Sequence, residues 1–116
     1  MNKSTIRIDV TLDADRMPET ISWNATSTTA EDDRNAKAVM LSLWDGADRT
    51  ALRIDLWTKT MMVDEMADFY YQTFMTMADT YDRSTHNKEL SDDMRTFAKQ
   101  FYNKFREQQL KEGKLG

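Results

Sequence analysis

The feature that most constrains this fold is a change in the spacing of apolar residues near Thr60. Before that point apolar side chains recur at every second position, which is the spacing of a strand with one buried face. After it they recur at intervals of three and four, which is typical of an amphipathic helix. The chain is therefore predicted to contain strands in its first half and helices in its second half.

Four segments of the first half carry the strand pattern. They read TIRIDVTL, TISWNAT, AKAVMLSLWD and TALRIDLWT, at residues 5–12, 20–26, 36–45 and 50–58. Between the last two, the sequence DGADR predicts a hairpin turn in which Gly46 can take a positive φ. The polar segment from Thr26 to Asn35 has no apolar period, and we expect it to be a mobile connection.

The apolar residues also predict how the strands pair. If Leu43 faces Leu52, every inward partner in the second hairpin is apolar, whereas a shift of one residue would place charged side chains opposite leucine. The other pairs in that register are Leu41–Ile54, Val39–Leu56 and, on the outer face, Ala38–Trp57. For the first hairpin the predicted pairs are Val10–Trp23 and Ile8–Ala25.

The second half predicts two helices, one with apolar residues from Val63 to Tyr81 and one from Leu90 to Phe105, with Asn87 as the N-cap of the second. Strands followed by helices indicate an α+β fold. We predict a four-stranded antiparallel sheet of two hairpins, followed by two helices packed on one face, in a single domain over residues 1–116. There is no βαβ alternation and no glycine-rich phosphate loop, which argues against the doubly wound nucleotide-binding folds.

The tripeptide Arg-Ile-Asp occurs twice, in the first and fourth predicted strands. In each copy the isoleucine belongs to the inward apolar set, so the arginine and aspartate are expected on the face away from the helices. Cross-strand pairs of opposite charge contribute about 0.2–1 kcal/mol each, which is reason enough for two strands to share these residues. A duplicated hairpin is not indicated, because TISWNAT and AVMLSLWD share too little.

The same outer face carries the residues that we expect to bind another protein. The predicted register places two tryptophans there, and nothing in the sequence obviously covers them. An apolar centre with aromatic anchors and a polar rim is typical of protein interfaces. Packing of the rings on arginine stems is the other interpretation of this face, and the sequence leaves both open. The expected site consists of Met40, Trp44, Trp57, Arg53, Asp55, Arg7 and Asp9.

Composition excludes several classes of protein. The chain has no cysteine, which excludes disulfides, thiol catalysis and thiolate zinc sites. No stretch approaches about 18 consecutive apolar residues, and no signal peptide is apparent, so we expect a soluble protein without a membrane span.

The net charge of −4 disfavours a nucleic-acid partner. The basic C-terminal end complements its own helix dipole or, alternatively, docks an acidic partner.

Residues with catalytic potential are few. His86 is the only histidine and lies in the predicted loop between the helices. Three acid pairs occur, but none has a third ligand that would complete a metal site; they are Asp64 with Asp68, Asp79 with Asp82, and Asp92 with Asp93. We therefore predict that the protein is not an enzyme, with no catalytic residue, no cofactor and no metal.

One long stretch resembles a known family. The sequences LWTKTMMVDEM (56–66) and FYYQTFMTMADTYDRST (69–85) are similar to the gliding-motility-associated protein GldC family, and STIRIDVTLD and LSLWD…LRIDLWTK fit the same family. The resemblance covers most of residues 4–85 and is looser in the second helix. One departure is Met62, where proline is expected in the family.

The resemblance implies an accessory role in bacterial gliding motility and a cytoplasmic location, and it supplies no catalytic residues. The first hypothesis is a small non-enzymatic protein that acts by binding a protein of the gliding machinery or a second copy of itself. The alternative is a domain that holds a small apolar molecule between the sheet and the helices. A cavity of several hundred Å³ with converging polar groups would favour the alternative.

Overall fold

The computed structural model describes residues 2–26 and 33–113. The chain divides into two compact units, Met1–Met61 and Met62–Gly116. Within those ranges all strands belong to the first unit and both helices to the second, so the architecture is α+β, as the change of period predicts. A single domain over the whole chain stays a prediction.

The first sheet has three antiparallel strands in the order β1-β2-β3, where β1 is Ile6–Leu12, β2 is Pro18–Ala25 and β3 is Arg34–Ala36. Ile21 on β2 faces Val10 on one side and Ala36 on the other. It is only 1% exposed and is the largest fully buried apolar side chain in the described part of the chain. Ile8 faces Trp23, so the predicted register of this hairpin is wrong by two residues. A shift of two leaves each side chain on its predicted face.

The turn between β1 and β2 explains that difference. The Asp13 carboxylate accepts hydrogen bonds from the backbone N–H groups of Asp15 and Met17, at 2.9 and 3.0 Å. The Asp13 N–H in turn donates to the Met17 carbonyl, and Arg16 takes a left-handed φ of 64°. These bonds close the turn early, so β2 begins at Pro18 and pairing with β1 slides by two residues.

The second sheet is a two-stranded antiparallel ribbon of β4, Ala38–Asp45, and β5, Thr50–Trp57. Its predicted register is confirmed. The pairs are Leu43–Leu52, Leu41–Ile54, Val39–Leu56 and Ala38–Trp57.

Among the described residues, the strands do not form the single four-stranded sheet that the sequence predicts. The chain bends at Lys37, so the stretch predicted as one strand divides into β3, which pairs with β2, and β4, which pairs with β5. The Lys37 carbonyl accepts hydrogen bonds from both the N–H and the hydroxyl of Thr58, at 2.8 and 2.9 Å. Thr58 is buried, and these two bonds fix the bend.

The connection predicted to be mobile, Thr26–Asn35, is described only at its two ends, because residues 27–32 lie outside the described residues. At its C-terminal end, Arg34 and Asn35 pair with β2 as part of β3. That end is therefore strand rather than irregular connection.

The positive φ in the ribbon turn belongs to Arg49, at 55°, and not to Gly46 as predicted. The Asp45 carboxylate accepts from the N–H groups of Ala47 and Asp48, and its carbonyl accepts from Arg49. These bonds hold the first residues of the loop in right-handed backbone conformations, so only the last loop residue, Arg49, needs a positive φ.

The second unit is a helical hairpin of α1, Val63–Thr85, and α2, Lys88–Lys111. The Glu65 side chain accepts from the Met62 N–H at 3.0 Å and caps the start of α1. His86 ends α1 with a left-handed φ of 57°. Asn87 accepts from the Leu90 N–H at 3.1 Å, which confirms it as the N-cap of α2. So short a connection makes the helices antiparallel neighbours.

Small side chains fill the buried positions of the hairpin, as expected where two helices approach closely. They are Ala67, Ala78, Ser91 and Ala98. Beside them Phe74 lies edge-on to Phe97 and Phe101, with ring centroids 5.5 Å apart in both cases. No helix within the described residues is long and apolar enough to cross a membrane.

Candidate protein-binding surfaces

The β4–β5 ribbon brings five of the seven expected site residues onto one face. Its register places Met40 opposite Asp55, Trp44 opposite Ala51 and Trp57 opposite Ala38. Because side chains alternate between the two faces of a strand, these residues and Arg53 all point to the same side. We call this surface the tryptophan face, and it consists of Met40, Trp44, Arg53, Asp55 and Trp57.

The tryptophan face is open to solvent. Trp44 is 65% exposed and Trp57 is 57% exposed. Arg53 pairs with Asp55 of its own strand, with 3.3 Å between guanidinium and carboxylate. An exposed ion pair of this kind adds little to stability, so the arginine and the aspartate can turn to other partners.

Arg7 and Asp9 lie elsewhere, on β1 of the three-stranded sheet. Arg7 binds Asp9 at 3.2 Å and both carboxylate oxygens of Asp33, at 3.1 and 3.0 Å. Asn24 on β2 also donates to Asp33. These residues form a polar network on the first sheet. The tryptophan face lies on the other sheet, so the two sets of residues are not brought together.

The other face of the ribbon is apolar and exposed as well, which the sequence did not reveal. Leu43, Leu52 and Ile54, predicted to point into the core, are 57, 55 and 54% exposed. Alternation alone reports which residues share a face, and it cannot report whether anything covers that face. The ribbon therefore presents apolar side chains on both sides.

An ion pair joins the first turn to the end of the ribbon. The Lys59 ammonium contacts the carboxylate of Asp13. The hydrogen bond from Lys59, followed by the one from the Met17 N–H, lowers the pKa of the Asp13 carboxyl below its ordinary value of 3.8. The same pairing raises the pKa of Lys59 above 10.5. Asp13 is thus a structural carboxylate, held ionised by its neighbours.

The helical hairpin contains an open apolar groove of about 520 Å³. One carboxylate, that of Asp93, is the charged group in its lining. Met77 and Phe97, which border the groove, are each about half exposed. The complete lining is Phe74, Met77, Tyr81, Leu90, Asp93, Met94 and Phe97.

The helix acids that could suggest catalysis surround an arginine instead. Arg95 contacts Asp79 and Asp92 at 2.9 Å and Asp82 at 3.6 Å. In the parts of the chain that the structure describes, no three acidic or histidine residues converge as a metal site would require. His86 is exposed and forms the C-cap of α1.

The fold and its surfaces define a small α+β protein of two sheets and a helical hairpin, which exposes apolar and aromatic side chains on the ribbon and in the groove of the hairpin. The chain belongs to the GldC-like family. The family model described as Gliding motility-associated protein GldC-like matches residues 18–107. The match confirms the resemblance and extends it past Thr85 through most of α2. That family is not a known enzyme family. No curated protein and no solved structure matches the chain.

Proposed function

We propose that this protein is a non-enzymatic accessory protein of bacterial gliding motility and that it acts by binding a protein of the gliding machinery through the tryptophan face. The observation that carries the proposal is the exposure of Trp44 and Trp57 on one face of a two-stranded ribbon. Membership of the GldC-like family supports the link to gliding. The proposed location is the cytoplasm, which the family resemblance implies.

Energetics favour the tryptophans as the anchors of this interface. Aromatic side chains bury large areas at little cost in conformational entropy, and they dominate measured binding energies at interfaces. Arg53 and Asp55 flank them and supply charges of both signs at the rim, which favour orientation more than affinity. Arg7 and Asp9 lie on the other sheet, apart from the tryptophan face, and are held by their network with Asp33, so they are proposed only as secondary contacts of the partner.

The test uses the double variant Trp44→Ala, Trp57→Ala expressed in a gliding bacterium in place of the normal chain. We expect the partner to be lost from affinity purification and the cells to spread more slowly, while the amount of protein is unchanged. Ile6→Ala is the matched control, because Ile6 is an even more exposed apolar residue on the other sheet. Normal partner recovery and normal gliding with the double variant would contradict the proposal.

The alternative function predicted from the sequence is to hold a small apolar molecule between the sheet and the helices, whereas the groove that favours ligand binding lies within the helical hairpin itself. The groove in the helical hairpin has a volume in the range of ligand sites and an apolar lining. It lacks the converging polar groups that orient a ligand, since Asp93 is its single charged side chain. Mass spectrometry of the intact protein, purified under non-denaturing conditions, tests this alternative: a bound apolar molecule that Phe74→Ala releases would support it.

A further inference from the structure

The outer edge of β5 is a candidate for pairing with a strand of another chain. Among the described residues β5 pairs only with β4, so its second edge has no neighbouring strand. The strand has eight residues and lacks proline and lysine, its pairing with β4 shows no bulge, and its two charged residues, Arg53 and Asp55, have opposite signs. Monomeric proteins usually protect edge strands with prolines, lysines or bulges, because a free edge pairs readily with another chain.

The backbone geometry shows which residues offer hydrogen bonds at this edge. The Thr58 N–H donates to the Lys37 carbonyl. Every second residue before Thr58 therefore directs its backbone groups toward β4, namely Leu56, Ile54, Leu52 and Thr50. The intervening residues then direct theirs outward. Those outward residues are Ala51, Arg53, Asp55 and Trp57.

We propose that β5 pairs with β5 of a second copy of this chain, antiparallel, across a twofold axis at Ile54. In this register Arg53 faces Asp55 of the partner subunit, and Asp55 faces Arg53 of the partner subunit. Leu52 then faces Leu56 of the partner subunit, and Ala51 faces Trp57 of the partner subunit. From Ala51 to Trp57, each charged residue faces the opposite charge and each apolar residue faces an apolar residue.

Hydrogen bonding and register agree in this arrangement. The residues that face one another as charge pairs are those whose backbone groups already point outward, and each such pair exchanges two hydrogen bonds. Ile54 meets Ile54 of the partner subunit as a non-hydrogen-bonded pair, in which side chains approach most closely. The two ribbons become one four-stranded sheet, and the exposed leucines of both copies form one apolar surface.

The other free edges fit a second copy less well. β1 carries the same Arg-Ile-Asp sequence, but Arg7 is held by Asp33 and the pairing of β1 shifts between Thr11 and Leu12. The one charged residue of β4 is Asp45 at its end, so β4 has no residue of opposite charge that could fix a register with a second copy. The β5 edge combines length, regularity and charge self-complementarity.

This inference does not rest on the proposed function, because it concerns backbone pairing along the edge of β5, although Arg53, Asp55 and Trp57 of the tryptophan face belong to that strand. Trp44 lies on β4, away from that edge. Trp44→Ala should therefore leave self-association unchanged even where it abolishes partner binding. Partner binding and self-association can therefore be measured separately, and each proposal can fail while the other holds.

The experiment exchanges the charges at the edge in the full-length chain and measures self-association by sedimentation equilibrium. Either Arg53→Asp or Asp55→Arg is expected to weaken the dimer at least about tenfold, because like charges then meet twice across the axis. A mixture of the two single variants should form a heterodimer, and the double variant Arg53→Asp, Asp55→Arg should form a homodimer as well as the original chain does. Circular dichroism verifies that each variant is folded.

Arg7→Asp is the matched control, the same reversal in the other Arg-Ile-Asp sequence, and it should leave the dimer intact. Three outcomes overturn the proposal. The original chain stays monomeric at all concentrations measured, the mixture of single variants fails to associate, or Arg7→Asp disrupts the dimer as strongly as Arg53→Asp. If the mixture fails to associate and Arg7→Asp also disrupts the dimer, the results would indicate that β5 pairs with β1 of another copy. In that arrangement Arg53 faces Asp9 of the partner subunit, and mixing the two single variants would not restore association.

Discussion

Arg95 on α2 reaches across the helical hairpin and donates a hydrogen bond to Asp79 on α1, with 2.9 Å between the two atoms. The same guanidinium donates to Asp92 on its own helix, also at 2.9 Å. The hydrogen bond to Asp79, above all, raises the pKa of Arg95 beyond its ordinary value. The acidic residues near the helix connection thus have a structural role: through Arg95 they join the two helices.

We predict that Arg95 and Asp79 stabilise the hairpin as a pair. Arg95→Met keeps the aliphatic stem and removes the charge, and Asp79→Asn removes the other charge. Each should lower the thermal midpoint, and the double variant should be no less stable than the poorer single variant, because the second change removes an interaction already lost. Strictly additive effects in this double-mutant cycle, measured by thermal unfolding, would mean that the two residues act independently. Lys99→Met on the exposed side of α2 is the control and should have little effect.

The N-cap of α2 gives a second prediction. Asn87→Ala removes the acceptor of the Leu90 N–H and should cost about 1 kcal/mol of stability, whereas Asn87→Asp should retain most of it. The measurement is urea unfolding followed by circular dichroism. Asn103→Ala, in the exposed middle of the same helix, is the control and should be neutral or slightly stabilising, because alanine has the higher helix propensity. Equal losses for both alanine variants would show that the cap contributes nothing specific.

The ribbon shows how far apolar spacing alone can predict a sheet. In the ribbon, the pairing of Leu43 with Leu52 avoids the shift of one residue that would place charged side chains opposite leucine, and the structure confirms this register. In the first hairpin a shift by two residues keeps every side chain on its face, so the spacing cannot distinguish the two registers. In that hairpin the register is determined by the hydrogen bonds that the Asp13 side chain accepts in the turn. The spacing of apolar residues carries no information about these bonds.

The bend at Lys37 and the exposure of the ribbon were beyond sequence reasoning for different reasons. The bend lies in Ala-Lys-Ala, which carries no glycine or proline, and it depends on hydrogen bonds from Thr58, 21 residues later in the chain. Strand β3 has three residues, too few to show a period. The exposure of Leu52 and Ile54 depends on what covers them, and a pattern along one strand contains no information on its neighbours.

The pairing of Asp13 with Lys59 predicts a specific pH dependence. The folded state lowers the pKa of Asp13 below 3.8, so its ionised form is favoured in the folded protein over the unfolded chain. Its contribution to the free energy of unfolding is therefore fully present above pH 3.8 and is lost as the pH falls through the lower, folded pKa. For Lys59 the folded pKa is raised above 10.5, so its contribution is present below that pH and is lost as the pH rises through the folded value.

Asp13→Asn isolates the charge, because the asparagine oxygen can still accept the backbone hydrogen bonds of the turn. At neutral pH the variant should be less stable than the original chain. The difference in urea midpoint should shrink as the pH is lowered below 3.8, where the aspartate of the original chain also becomes neutral. Asp15→Asn, a neighbouring exposed change in the same turn, serves as the control and should show no such convergence. If the gap between the original chain and Asp13→Asn stays constant from neutral to acid pH, the ion pair with Lys59 does not stabilise the fold, and the role of Asp13 is limited to shaping the turn.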